Sequence, residues 1–157
     1  MHKVQITVER GKQEILVTRI LDAPPALVFK AMTDPVAIPR WWGPGELLTE
    51  VEKLEVHQGG KWRIVQTDPA GNSYRFHGVY HDVSPSKRIV RTFEYEGEPG
   101  HVILETTVLK NLSDKTALTI QSVFQSVADR DGMVQAGMER GIRESYERLD
   151  VLLPQLH

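Results

Sequence analysis

The sequence predicts an α+β fold: a run of antiparallel strands closed by one long terminal helix. Three observations predict it. Six segments with strand-like alternation occupy residues 48–56, 61–67, 73–83, 88–95, 102–110 and 116–125. The dividers between them are short and rich in Gly, Pro, Asn and Asp, as in Gln58-Gly59-Gly60 and Asp68-Pro69-Ala70-Gly71-Asn72. Such short connections make hairpins, so the sheet is antiparallel. The third observation is the block from about Ala128 to Leu153, which holds no Pro until Pro154. Within it Met138, Ile142, Ser145, Leu149 and Leu152 fall at alternating steps of four and three, one face of a helix. Strands followed by a helix argue α+β.

The remaining elements follow in order. Residues 1–12 are polar, with Val4, Ile6 and Val8 alternating, and read as an N-terminal arm or an extra edge strand. Residues 13–21 form the first full strand, and residues 13–157 one domain. Asp22-Ala23-Pro24-Pro25 is a helix start, with Pro in the first turn. A short helix over 26–32 has Leu27, Val28 and Ala31 on its inner face. Thr33-Asp34-Pro35 repeats the signal and predicts a second short helix running toward Trp41, ended by Gly43-Pro44-Gly45. The expected sheet has six to seven strands.

Composition removes several function classes. The chain has 157 residues and a formal net charge of −2, which gives no electrostatic case for nucleic acid or an anionic membrane. There is no cysteine, so disulfides, thiolate metal sites and a Cys nucleophile are excluded. No run approaches the roughly 18 apolar residues of a membrane span. The start lacks the apolar stretch of a signal peptide, and a soluble cytoplasmic protein is expected.

All three tryptophans lie in one stretch, as Trp41-Trp42-Gly43-Pro44-Gly45 and Gly59-Gly60-Lys61-Trp62-Arg63. Trp is large and its indole N–H needs a partner. The clusters read first as core packing and loop anchoring, and second as one wall of a lined cavity. If the segment is regular, Trp41 and Trp42 point different ways, one into the core and one nearer the mouth.

These pieces, taken in order, resemble the helix-grip fold of the START/Bet v 1-like superfamily. More narrowly, the chain is similar to single-domain relatives of the C-terminal domain of the activator of Hsp90 ATPase. The matching pieces are Arg19 with Ala23-Pro24 and Val28-Phe29, then Thr33-Asp34-Pro35, Trp41-Trp42-Gly43-Pro44, Gly59-Gly60-Lys61-Trp62-Arg63, His77-Gly78-Val79-Tyr80, and Pro85 through Arg91-Thr92-Phe93. They span about Glu14 to the C-terminus. One departure is visible: the family often carries Gly-Trp on the terminal helix, and this chain has Gly141-Ile142. The resemblance implies a curved sheet wrapped around the long helix, with a cavity between them. It implies binding of lipid-, polyketide- or aromatic-like molecules in the superfamily, and cyclisation in some members. It also suggests a co-chaperone role, which no residue of this chain supports.

Site chemistry is sparse. There is no Gly-x-Ser-x-Gly elbow and no phosphate loop. His77 and His81 would share a strand face at about 13 Å, too far to chelate one ion, so no metal and no cofactor is expected. The other histidines, His2, His57, His101 and His157, read as surface residues. Alternation places Phe93 and Tyr95 opposite Glu94, and Leu104 and Thr106 opposite Glu105, so both carboxylates are expected to face solvent. Among Arg19, Arg63, Arg75 and Arg91, one pointing inward could anchor a ligand carboxylate. The predicted function is binding of a largely apolar small molecule between sheet and helix. The candidate lining is Trp42, Trp62, Phe76, Tyr80, Phe93, Met138 and Ile142. The alternative is a cyclase or dehydratase acting through Glu105 with His77 or Tyr80. A homodimer is compatible with the sequence.

Overall fold

A computed structural model describes residues 3–157. Met1 and His2, and with them the start of the N-terminal arm, lie outside the described residues.

All eight strands join one antiparallel sheet in the order β1-β2-β8-β7-β6-β5-β4-β3. They are β1 Gln5–Thr7, β2 Glu14–Leu21, β3 Leu48–Leu54, β4 Lys61–Thr67, β5 Ser73–Ser84, β6 Arg88–Tyr95, β7 Val102–Leu112 and β8 Lys115–Val123. The expectation of six to seven strands falls one short, because the Val4–Val8 alternation does form an edge strand. It is pinned to β2 with Ile6 opposite Val17. Hairpins join β3 through β8, and the crossover from β2 to β3 carries the helical segment α1, Pro25–Thr33.

Pro24 and Pro25 open α1 without a side-chain cap. Val28 and Ala31 are buried, as the inner face requires. The second short helix is only a 3-10 turn, Ile38–Arg40. Pro39 lies inside it, has no N–H to donate and disfavours helical geometry in Ile38, so the turn does not propagate.

The terminal helix is also interrupted. It is divided into α2, Val127–Gln135, and α3, Met138–Leu152. Ser126 caps α2 by accepting from the Asp129 N–H. Gly137, at φ 89°, ends that helix in the left-handed conformation that glycine adopts without strain. The single helix expected over 128–153 overlooked this stop because no proline marks it.

Strand alternation sets the concave face. Ile15, Val17, Arg19 and Leu21 of β2 are buried against α3, from which Tyr146, Leu149 and Leu152 are buried in return. A second apolar cluster, Ile38, Trp62, Ile64, Tyr80 and Ile89, sits toward the β3–β6 end of the sheet. Arg19 is one of the strand arginines that points inward, but its partner is a carboxylate of the protein itself. It is 6% exposed and donates to Asp150 of α3, tying helix to sheet.

Candidate functional site

Between the two apolar clusters lies a cavity of about 340 Å³, walled by β4–β8, α3 and the tryptophan loop. Trp41 and Trp42 both reach it, but in different ways. Trp41 is buried, and its indole N–H donates to the Ala31 carbonyl at 2.8 Å, one of the groups that the end of α1 leaves free. Trp42 is half-buried and turns its ring to Phe76, edge-on at 5.5 Å between centroids. Phe93 completes this aromatic wall, 5.3 Å from Phe76 and 6.4 Å from Trp42.

The loop after Trp42 is fastened to α3. The Gly43 N–H donates to Ser145 Oγ at 2.8 Å, and Arg148 donates to the Gly43 carbonyl at 3.0 Å. Gly43 has φ 85°, which favours glycine, and a Cβ there would fall 2.0 Å from the Gln66 side-chain nitrogen, so Gln66 would have to shift to admit one. Across the cavity α3 presents Met138, Gly141 and Ile142. A Cβ at Gly141 would meet nothing within 4 Å, so the glycine borders open space.

Six of the seven predicted lining residues border the cavity: Trp42, Phe76, Tyr80, Phe93, Met138 and Ile142. Trp62 does not. It is 1% exposed and stands behind Phe93 at 5.6 Å. Its indole N–H donates to the Thr92 carbonyl at 3.1 Å, passing over Gly78, where a Cβ would sit 2.6 Å from the indole nitrogen.

The polar part of the wall differs from what alternation predicts. Glu105 faces inward, whereas Leu104 is 44% exposed on the convex face. Glu105 stands directly opposite Arg91 in the β6–β7 register, and Arg91 Nε donates to its carboxylate at 2.9 Å. The Arg91 guanidinium also stacks 4.2 Å above the Trp62 ring. Burial works against the Arg91 charge, but Glu105 and Tyr80 together outweigh it and the group is held above its ordinary pKa. Burial likewise raises the neighbouring Tyr80 hydroxyl, with Arg91 pulling the other way. Tyr146, on the α3 side of the cavity, is pushed up by burial. Gln66, Thr107 and Ser122 add neutral polar atoms.

Glu94 lies on the convex face, as expected. His77 is there too, with Nδ1 3.1 Å from Glu96 and Nε2 3.6 Å from Glu94. It cannot partner Glu105. Among the described residues no three His, Asp or Glu side chains gather as a metal site would need. Among the described residues no helix is long and apolar enough to cross a membrane.

A second cavity of about 300 Å³ under α2 shares Phe93, Ile103, Phe124 and Met133 with the first. Its rim carries the pair His101–Asp129 at 2.9 Å.

Arg91 and Glu105 were legible in principle. Phe93 was already assigned to the cavity, period two puts Arg91 on the same face, and antiparallel pairing brings Glu105 opposite.

Comparison with known proteins agrees with this architecture. Residues 22–154 match the family model described as Activator of Hsp90 ATPase homolog 1-like protein. No curated protein matches the chain. Among solved structures, a protein from Rhodobacter sphaeroides is 25% identical with a TM-score of 0.88, covering 99% of this chain and 100% of its own. One from Arthrobacter aurescens is 26% identical with a TM-score of 0.88, covering 96% and 91%. DynU16, a protein of the dynemicin biosynthetic locus, is 20% identical with a TM-score of 0.70, covering 91% of this chain and 48% of that one.

Proposed function

The chain belongs to the Activator of Hsp90 ATPase homolog 1-like family, and on that premise we propose that it binds a largely apolar small molecule in the cavity between sheet and α3. The observation that carries this reading is the cavity itself. Its 340 Å³ falls at the small end of the roughly 300–1,000 Å³ range of ligand pockets. Its wall is mostly aliphatic and aromatic with a few convergent polar groups, the composition such pockets have. The aromatic corner Trp42–Phe76–Phe93 offers edge and face surface to a flat ligand. Ile142, standing where relatives often carry Trp, leaves volume that an indole would fill.

Calorimetric titration with ethylnaphthalene tests the reading. Saturable one-to-one binding is expected for the natural chain, and much weaker binding for Ile142→Trp, which narrows the cavity. Binding that survives Ile142→Trp unchanged places the ligand elsewhere and defeats the proposal.

The inward Glu105 favours one second reading, a cyclase or dehydratase for a polyketide-like substrate. Its carboxylate would have to leave Arg91 to take a proton. Turnover abolished by Glu105→Gln would support that reading, and binding without turnover would count against it.

A further inference from the structure

From the pairing inside the cavity we infer that the site selects an uncharged ligand, one whose apolar body carries a carbonyl acceptor, and discriminates against carboxylates. This rests on the ligand-binding reading above and names the ligand class. Arg91 and Glu105 are the charged residues in the cavity wall among the described residues, and they are bonded to each other at 2.9 Å. Their charges cancel where the ligand would lie. An anionic ligand would therefore enter an apolar cavity with no free counter-charge, and burying an unpaired charge is strongly unfavourable. A neutral acceptor meets no such penalty. Arg91 has five N–H donors in a fixed fork, and Glu105 takes the one on Nε. The guanidinium lies over the Trp62 ring, 4.2 Å from its centroid, and this contact together with the Glu105 bond limits how the fork can turn. The Tyr80 hydroxyl is a second hydrogen-bonding neighbour of the guanidinium, and Arg91 and Tyr80 border the cavity together, which leaves the N–H groups that neither Glu105 nor Tyr80 takes for a ligand. A ketone oxygen can accept there without breaking the ion pair. A ligand hydroxyl can donate to the lone pairs that Glu105 keeps.

The sequence alone suggests the opposite, since an inward arginine ordinarily reads as a carboxylate anchor. Glu105 already fills that role.

The test compares three probes of one shape by calorimetry: ethylnaphthalene, methyl naphthyl ketone and naphthoate. The natural chain should bind the ketone about tenfold more tightly than ethylnaphthalene, the effect of one hydrogen bond from a charged donor. It should bind naphthoate more weakly than either. Glu105→Gln frees the Arg91 charge, and the ketone-to-naphthoate preference should then shift by about tenfold or more toward naphthoate. Far-ultraviolet dichroism checks that this variant is folded, and the comparison on the natural chain stands without it. If naphthoate binds the natural chain as tightly as the ketone, the inference is overturned while the cavity reading stands. If ethylnaphthalene and the ketone bind alike, Arg91 is no anchor and the inference again fails alone. If no probe binds, the cavity reading itself falls and takes the inference with it.

Discussion

Replacing Arg91 by Met should destabilise the protein more than replacing Arg91 and Glu105 together. The two side chains are 14% and 21% exposed and share a 2.9 Å hydrogen bond within an apolar wall. Removing one partner leaves the other charge desolvated and unpaired, which costs about 3–5 kcal/mol in fully buried pairs. The partial access to the cavity puts Arg91→Met near the lower end, about 3 kcal/mol. For a chain of 157 residues that corresponds to a melting-temperature drop of roughly 6–12 °C. In the double variant Arg91→Met/Glu105→Leu no charge is stranded, and apolar substitutes of similar volume are often neutral or stabilising. It should lie within about 1 kcal/mol of the natural protein; Glu105→Leu alone, which strands Arg91, should cost about 3 kcal/mol like Arg91→Met, so the coupling energy is about 5 kcal/mol. Urea denaturation of the four proteins, with the slopes compared, reads these values. A double variant as unstable as the sum of the singles would refute the reasoning, because the two side chains would then contribute independently and not as a pair. The predicted pattern would mean that the pair is not needed for stability, in keeping with a role toward ligand.

Three further outcomes are expected. Gly78→Ala puts a Cβ 1.9 Å from the Thr92 backbone oxygen and should cost about 3 kcal/mol or more, whereas Gly137→Ala meets open space and should cost about 1–2 kcal/mol from its φ of 89° alone; urea midpoints separate the two. Gly141→Ala, in a helix interior beside open space, should stabilise by about 1 kcal/mol, and a loss of stability in thermal melts would mean that the space is not there. Arg63 first, and His77 after it, hold the Glu96 carboxyl at about 2, below its ordinary 4.5. Its contribution to stability is therefore present above pH 4.5 and is lost as the pH falls toward 2. Glu96→Gln should flatten that acid limb of the stability profile, and an unchanged slope would show that the Arg63 pair does not act there.

The frame of the molecule is readable in the sequence because its signals are local. Turn residues mark each hairpin, and the steps of four and three on α3 mark its buried face. The errors share a physical origin. Leu104 looks like an inward residue and Glu105 like an outward one, yet Leu104 and Val108 are exposed on the convex face at 44% and 41%. Branched and long apolar side chains favour strands on either face, so hydrophobicity alone does not fix which face is inner. The pairing of Arg91 with Glu105 settles it, and that pairing follows from strand register and not from alternation within β7 alone. Arg19 hides for the same reason, because its partner Asp150 lies 131 positions away on α3. Trp62 was placed one layer too far forward, since alternation gives the face of a residue but not its depth.

The claim that matters most is where a ligand sits. Isotope-filtered nuclear Overhauser contacts between bound methyl naphthyl ketone and the protein locate it directly. The account predicts contacts to the Met138 and Ile142 methyls of α3 and to the Trp42 indole, all three on the cavity wall. Contacts confined to Leu104 and Val108 on the convex face would contradict it.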